Sequence, residues 1–326
     1  MDMRFVDMHC DTLQEIALPA DGRSLRAGGG NHIDIEKMRR GGGLLQVFAL
    51  FIRTNEALEA RGPKLNAYDY CKWLYGYWQR EMAANADEIA PVLCWEDFLR
   101  NREAGRLSAL LSIEDSEPLQ GRIQRVEEFH GMGVRMMSIT WNYENSLAFP
   151  NSKDPDVMTR GLKPFGIEAA RRMNELGIVV DVSHLSDGGF WDVVRHTDRP
   201  FVASHSDCRA LCETPRNLTD EMLRALADRG GVAGLNYYDH FLHGRNDRFT
   251  GLEDLVRHAR HMVNVAGIDA VGLGSDFDGI SGTALEFGDY AGLPMLADAL
   301  SRHFTGGEVE KICGGNVLRV LRDVIG

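Results

Sequence analysis

The sequence is poor in cysteine, has no long apolar run and is short of positive charge. Its six cysteines, Cys10, Cys71, Cys94, Cys208, Cys212 and Cys313, are scattered over 326 residues without a CxxC pair. That spacing excludes a disulfide framework and a thiolate zinc ribbon, so free thiols are expected. Cys208 and Cys212 stand four apart and are read as packing residues on one helix face, because two thiols alone do not close a zinc site. No segment approaches the roughly 20 apolar residues of a membrane span. Met1-Asp2-Met3-Arg4 leads into a short strand, not into the apolar region of a secretion signal. Thirty-six Lys and Arg stand against 48 Asp and Glu, a formal net charge of −12. A general nucleic-acid or anionic-membrane binder would carry the opposite sign. A cytoplasmic protein with a small-molecule partner is expected, with neither nucleic acid nor membrane as its target.

What is present is a recurring unit. With 44% hydrophobic residues the chain can bury a large core. Repeats, low-complexity tracts and Pro/Ser-rich linkers are absent from the sequence, so residues 1–326 are expected to form one domain. Short β-rich runs occur at Arg4–Met8, Leu44–Phe48, Ala109–Ile113, Val134–Ile139, Ile178–Ser183, Phe201–Ser204, Val232–Leu235 and Ala270–Gly274. Between them lie helical patterns at Lys64–Ala84, Phe165–Leu176, Asp187–His196, Asp220–Asp228 and Leu252–Ala266, with Gly177, Gly230 and Gly267 at helix C-termini. Strands alternating with helices imply βαβ units and a parallel sheet. Eight units in this length point to a closed (β/α)8 TIM barrel, although a doubly wound open sheet gives the same local pattern. The runs Gly28-Gly29-Gly30 and Gly41-Gly42-Gly43 fit no phosphate-binding motif and are read as flexible loops and turns.

Histidines and carboxylates gather at strand ends. His9 and Asp11 are spaced i, i+2 after the first strand and project to one side of an extended segment. Glu114 ends the third strand, His184 follows the fifth, His205 the sixth and Asp276 the eighth. Each alone reads as an ordinary polar group at a strand end. Together they occupy the face on which barrel enzymes assemble their sites. Imidazoles with carboxylates and no thiolate suit zinc or another divalent transition ion, and six such groups suit two ions bridged by a carboxylate. Arg216, in Pro215-Arg216-Asn217-Leu218-Thr219-Asp220, is placed near the barrel mouth, where a guanidinium can bind a carboxylate bidentately. Thr219 or Asp220 caps the following helix. Tyr238, in Asn236-Tyr237-Tyr238, either lines the same pocket or packs in the core. His258, His261, His240 and His243 are read as solvated or capping, while His32, His130, His196 and His303 show no partner pattern.

At these residues the sequence resembles the membrane (renal) dipeptidase family of the amidohydrolase superfamily, nearly end to end. The resemblance rests on Asp7-Met8-His9-Cys10-Asp11-Thr12, His32-Ile33-Asp34, Gly42-Gly43 to Phe48, Val180-Asp181-Val182-Ser183-His184, Ala203-Ser204-His205-Ser206, Pro215-Arg216-Asn217-Leu218, Gly272-Leu273-Gly274-Ser275-Asp276-Phe277-Asp278-Gly279 and Gly315-Asn316. It implies a (β/α)8 barrel with two zinc ions. His9 and Asp11 would hold one ion, Glu114 would bridge both, His184 and His205 would hold the second, and Asp276 would contact the first and shuttle protons. Arg216 would bind the substrate's terminal carboxylate with Tyr238 nearby, and the family suggests dimers. Two departures stand out. Trp141 occupies the place of a family histidine thought to stabilise the oxyanion, and Glu114 is followed by Asp115-Ser116-Glu117 where glycines are usual.

The expected function is hydrolysis of free dipeptides, L-Xaa-L/D-Xaa, by a hydroxide bridging two zinc ions, with Asp276 and Glu114 as catalytic groups. Trp141 keeps a second reading open, an amidohydrolase for another small amide, lactam or N-acyl amino acid. A third reading is a barrel that binds small molecules without turnover.

Overall fold

The computed structural model describes residues 3–18, 22–26, 29–52, 62–245, 247–280 and 282–326. Its strands are β1 (Phe5–Asp7), β2 (Gly43–Phe51), β3 (Ile89–Pro91), β4 (Leu107–Glu114), β5 (Val134–Ser138), β6 (Val179–Asp181), β7 (Val202–Ala203), β8 (Val232–Leu235), β9 (Phe249–Thr250), β10 (Val271–Leu273) and β11 (Ala284–Leu285). Eight of them are parallel and close into a ring, β1-β2-β4-β5-β6-β7-β8-β10 and back to β1 through Asp7 and Leu273. The ring is the expected (β/α)8 barrel, and each of its strands coincides with an expected run. β3 is an addition. It pairs with Leu107–Ala109 of β4, outside the ring and ahead of the stretch of β4 that β5 takes.

Alternation along the strands sorts the apolar residues into two cores. Val6, Met8, Leu45, Val47, Leu110, Met136, Val179, Val202 and Val232 form an inner cluster with Val317, Val320, Leu321 and Val324. The last four come from the Asn316–Ile325 helix, so this helix covers one mouth of the barrel. The opposite strand faces, including Phe48, Leu111, Ile113, Val180 and Leu273, pack against the surrounding helices. The interior is tight between β7, β8 and β10. A Cβ on Gly274 would lie 1.7 Å from the Ser204 carbonyl oxygen, so only glycine lets the strand pass.

The helices match expectation closely. Asn66 caps Ala67–Ala84 and Lys163 precedes Pro164–Leu176. Asp187–His196, Asp220–Asp228 and Leu252–Ala266 end where the pattern put them. Thr219 is the cap of the second, accepting from the Met222 amide at 3.2 Å. Gly177, Gly230 and Gly267 all take positive φ at or just past helix ends.

Several expectations need correction. Cys208 and Cys212 lie in a turn, not on a helix, where their thiols approach the His258 and His240 carbonyls. Gly41 and Gly42 make the expected turn, but it is closely packed, since a Cβ on Gly41 would meet the Tyr290 carbonyl at 2.2 Å. Gly28 lies outside the described residues. His258 is fully buried instead of solvated; its Nδ1 takes the Cys208 amide at 3.2 Å and its Nε2 faces the Leu242 carbonyl at 2.9 Å. His243 is also buried, with Nε2 2.9 Å from the Phe249 carbonyl. His32 has a partner after all. Its amide donates to Asp278 Oδ1 at 2.5 Å, and its Nδ1 receives the Asp278 amide at 3.1 Å.

Candidate active site

All six residues singled out as ligands sit at or just beyond the C-terminal ends of barrel strands, and the barrel brings them together. Buried carboxylates that make no approach to the centre hold them there. Asp7, the last residue of β1, accepts from the amide and hydroxyl of Ser275 at 2.7 and 2.6 Å, which ties the loop before Asp276 to the loop bearing His9. Asp181, the last residue of β6, accepts from the amides of Ser183 and Ser204 and from the Ser204 hydroxyl, 2.6 Å away. Ser204 Oγ in turn lies 2.7 Å from His205 Nδ1, leaving Nε2 for the centre. His184, Asp276 and Asp278 adopt φ of 68°, 59° and 67°. Non-glycine residues avoid this left-handed region, and such strain concentrates where side chains must be aimed for function.

The ligand atoms fall into three groups, each within 4.8 Å: His9, Asp11 and Glu114; His9, His205 and Asp276; Glu114, His184 and His205. Glu114 joins the two sides. Its Oε2 is 3.4 Å from His9 Nε2, and its Oε1 is 3.0 Å from His184 Nε2 and 3.7 Å from His205 Nε2. His184 Nε2 and His205 Nε2 face each other at 3.0 Å. His9 Nε2, Asp11 Oδ1 and Glu114 Oε2 are buried with no hydrogen-bond partner. Orphaned lone pairs in a buried cluster are costly unless a cation takes them up. Three imidazoles and three carboxylates, split by one shared carboxylate, fit two divalent transition ions.

The electrostatics agree. Burial alone would lower His9, but Glu114, Asp11 and Asp276 raise it to about 10, so the surrounding carboxylates draw positive charge to this point. Burial and the field of Arg216 lower His184 to about 4, and burial with the charge of His9 holds His205 well below its usual range. Both are neutral imidazoles with a lone pair to give. Burial lifts Asp276 to about 6, with Glu114 adding to the rise against the pull of His9. Burial works against the Glu114 carboxylate, yet His9 and the bonds from His184 and His205 hold it well below the normal range.

A cavity of about 330 Å³ opens over this centre. Asp11, Glu114, His184 and Asp276 form part of its wall, with Phe51, Trp141, Asn142, Tyr238 and Phe241 around them. Trp141 packs edge-on against Phe51 at 4.8 Å and lies 6.2 Å from the His184 ring. Arg216 is buried under Phe241, its guanidinium 5.4 Å from that ring. It donates to Ser206 Oγ at 2.6 Å and keeps Nε and Nη2 unpartnered.

The supporting residues were harder to find from sequence. Asn142 Oδ1 holds His184 Nδ1 at 2.9 Å, and Asn236 Nδ2 donates to Asp276 Oδ2 at 3.0 Å. Asp278 accepts from Thr12 Oγ1 at 2.6 Å and joins the loops after the first and last barrel strands. Asp7, Asp181 and Asp278 lie inside the motifs quoted above, two or three residues from the nearest candidate ligand, and that adjacency is the signal that could have flagged them.

Comparison with known proteins places this geometry. The profile of the membrane dipeptidase family, peptidase family M19, matches residues 1–325. A Schizosaccharomyces pombe protein named an uncharacterized dipeptidase is 30% identical over 303 residues, 89% of this chain and 71% of its own. The crystal structure of the dipeptidase AC, a metallopeptidase of family M19, superposes with a TM-score of 0.88 at 26% identity, covering 100% of both chains. A Rhodobacter sphaeroides metallopeptidase, solved with a phosphinate mimic of the dipeptide L-Ala-D-Ala, gives 0.86 at 25% identity over 99% of both. No helix among the described residues is long and apolar enough to cross a membrane. The chain belongs to the membrane dipeptidase family, and it is a metal-dependent peptide hydrolase.

Proposed function

We propose that this protein hydrolyses the single peptide bond of free dipeptides, L-Xaa-L/D-Xaa, with two zinc ions in its centre. The observation that carries the reading is the sharing of Glu114 between two buried ligand groups at the floor of a cavity of about 330 Å³. When bound, the ions would supply Lewis acidity, lowering the pKa of a water and polarising the carbonyl to be attacked. His9 and Asp11 serve one side, His184 and His205 the other. Asp276, held by Asn236 at 3.0 Å, takes the proton of the attacking water and returns it to the leaving amine. Arg216, buried behind Phe241 and with spare donors, fixes the terminal carboxylate, which limits the substrate to short peptides and orients the scissile bond. Tyr238 and Trp141 close the sides of the pocket. The L-Ala-D-Ala mimic bound by the Rhodobacter sphaeroides neighbour supports a dipeptide substrate with a D residue at the C-terminal position.

Amino-acid release from L,L- and L,D-dipeptides by zinc-reconstituted protein tests this, with chelated protein alongside. Chelator-sensitive release is expected. No release from metal-loaded protein would favour another small amide, lactam or N-acyl amino acid, the reading that Trp141 motivates. A residence in the cytoplasm belongs to the same proposal and is supported by six unpaired thiols. So does a homodimer, which sedimentation would measure.

A further inference from the structure

Attack on a peptide carbonyl moves an electron pair onto its oxygen, and a preorganised donor aimed at that oxygen accelerates the step. The wall of the cavity is rich in acceptors, Asp11, Glu114, Asp276 and Asp278 among them, and its side-chain donors without a hydrogen-bond partner among the described residues include the Trp141 indole, the Tyr238 hydroxyl and the Asn142 amide. The amides of Gly279 and Ile280 both donate to the Asp276 carbonyl, and the Tyr238 amide donates to Asn236 Oδ1. Asn142 is different. Alone of the three side-chain donors it is tied to a residue of the centre: it stands on the exposed rim of the cavity beside His184, and its side chain makes one hydrogen bond among the described residues, Oδ1 with His184 Nδ1 at 2.9 Å. As a metal ligand on the proposed reading, His184 presents its Nε2 lone pair to the centre, so the ring proton sits on Nδ1 and Asn142 Oδ1 accepts it. That bond fixes which end of the amide is nitrogen. It leaves Nδ2, with two hydrogens and no partner among the described residues, on the same rigid planar group, at the cavity and next to a ligand of the centre.

We infer that Asn142 donates from Nδ2 to the carbonyl oxygen of the scissile peptide as that oxygen gains negative charge. The inference rests on the dipeptidase reading of the site and adds a catalytic residue to it. Asn142 then has two roles on one amide: Oδ1 orients His184, and Nδ2 meets the substrate. Trp141, whose ring packs against Phe51 and Tyr143, is the wall beside this donor.

Asn142→Asp separates the roles, since it keeps an acceptor for His184 and removes the donor. Three quantities are measured on wild type and variant: metal content, kcat and KM for a dipeptide, and the inhibition constant of a phosphinate dipeptide mimic, whose oxygens stand for the tetrahedral carbon's. The variant is expected to keep its metal and its KM while kcat falls by about 10²–10³-fold. The inhibition constant should rise by a parallel factor. Wild-type kcat in the variant, or unchanged phosphinate binding, would overturn the inference and leave the dipeptidase reading intact. Loss of metal from the variant would assign Asn142 to holding His184 alone and would also overturn it. A wild type that cleaves no dipeptide would overturn both.

Discussion

Gly279 shows how closely single residues are fitted around the centre. A Cβ there would stand 2.3 Å from Asp276 Oδ1 and 2.4 Å from Asp11 Oδ2, with the backbone of both loops already fixed by hydrogen bonds. Gly279→Ala is therefore expected to displace two ligands and lower metal content in elemental analysis, while the outer core and the far-UV circular dichroism stay unchanged. Asp276→Asn removes a base without removing bulk. It is expected to keep most of the metal and lose about 10²–10⁴-fold in kcat, the usual contribution of a positioned proton carrier; undiminished turnover would exclude Asp276 from proton transfer. Arg216→Ala should raise KM for free-acid dipeptides far more than for their C-terminal amides, and equal losses on both would argue against carboxylate recognition. At this scale the residues that approach the centre were legible, because His9, Asp11, Glu114, His184, His205 and Asp276 each follow a readable strand. Their supports were less so. Asp181 and Asp7 read as polar interruptions in strands, and nothing local in Asn142 says that it meets a histidine 42 residues away.

Elements carry the next level of control. His258 sits on the Leu252–Ala266 helix among Leu255, Ala259 and Met262, all buried. Its place on that face, i+3 from Leu255, was the signal against a solvated histidine. Burial lowers its pKa from 6.5 to about 4. The fold thus favours the neutral ring, and this stabilisation is complete above the unfolded value and lost as pH falls from 6.5 through 4. The loss over that range is on the order of 3 kcal/mol. Urea denaturation of metal-free protein between pH 7 and pH 4 should show stability falling, and His258→Gln should flatten that slope; an unchanged slope would place the acid sensitivity elsewhere. The ring strands were legible because each is a β-branched or aliphatic run bounded by glycine or polar residues. β3 was not, since it has three residues and ends in Pro91, which cannot donate to a ladder. β9 and β11 are two-residue pairings whose register no local pattern specifies.

At the scale of the molecule, the six candidate ligands come from the ends of β1, β4, β6, β7 and β10, so on the proposed reading occupancy of the centre reports on closure of the whole ring. Ions that bind only the closed ring stabilise it by mass action, about 2.7 kcal/mol at a hundredfold excess over Kd. Chelation should lower the melting temperature by several degrees or more, and restoring zinc should reverse it; a melting temperature indifferent to chelation would mean that the centre forms without ions. The barrel itself was legible from counting units, whereas its closure was not. Periodicity describes neighbours in sequence, and the seam joins Asp7 to Ser275 across 268 residues.

That seam also sets an order of events during synthesis. A ribosome adding roughly 5–20 residues per second makes the loop that answers β1 about a quarter of a minute to a minute after β1 itself. Through that interval His9 and Asp11 wait without Asp276, and the inner faces of the early strands wait without a lining on one side. The nascent chain is then at its most exposed to holding chaperones and to stray metal. Capture of both ions is expected to be among the last steps by which the protein matures.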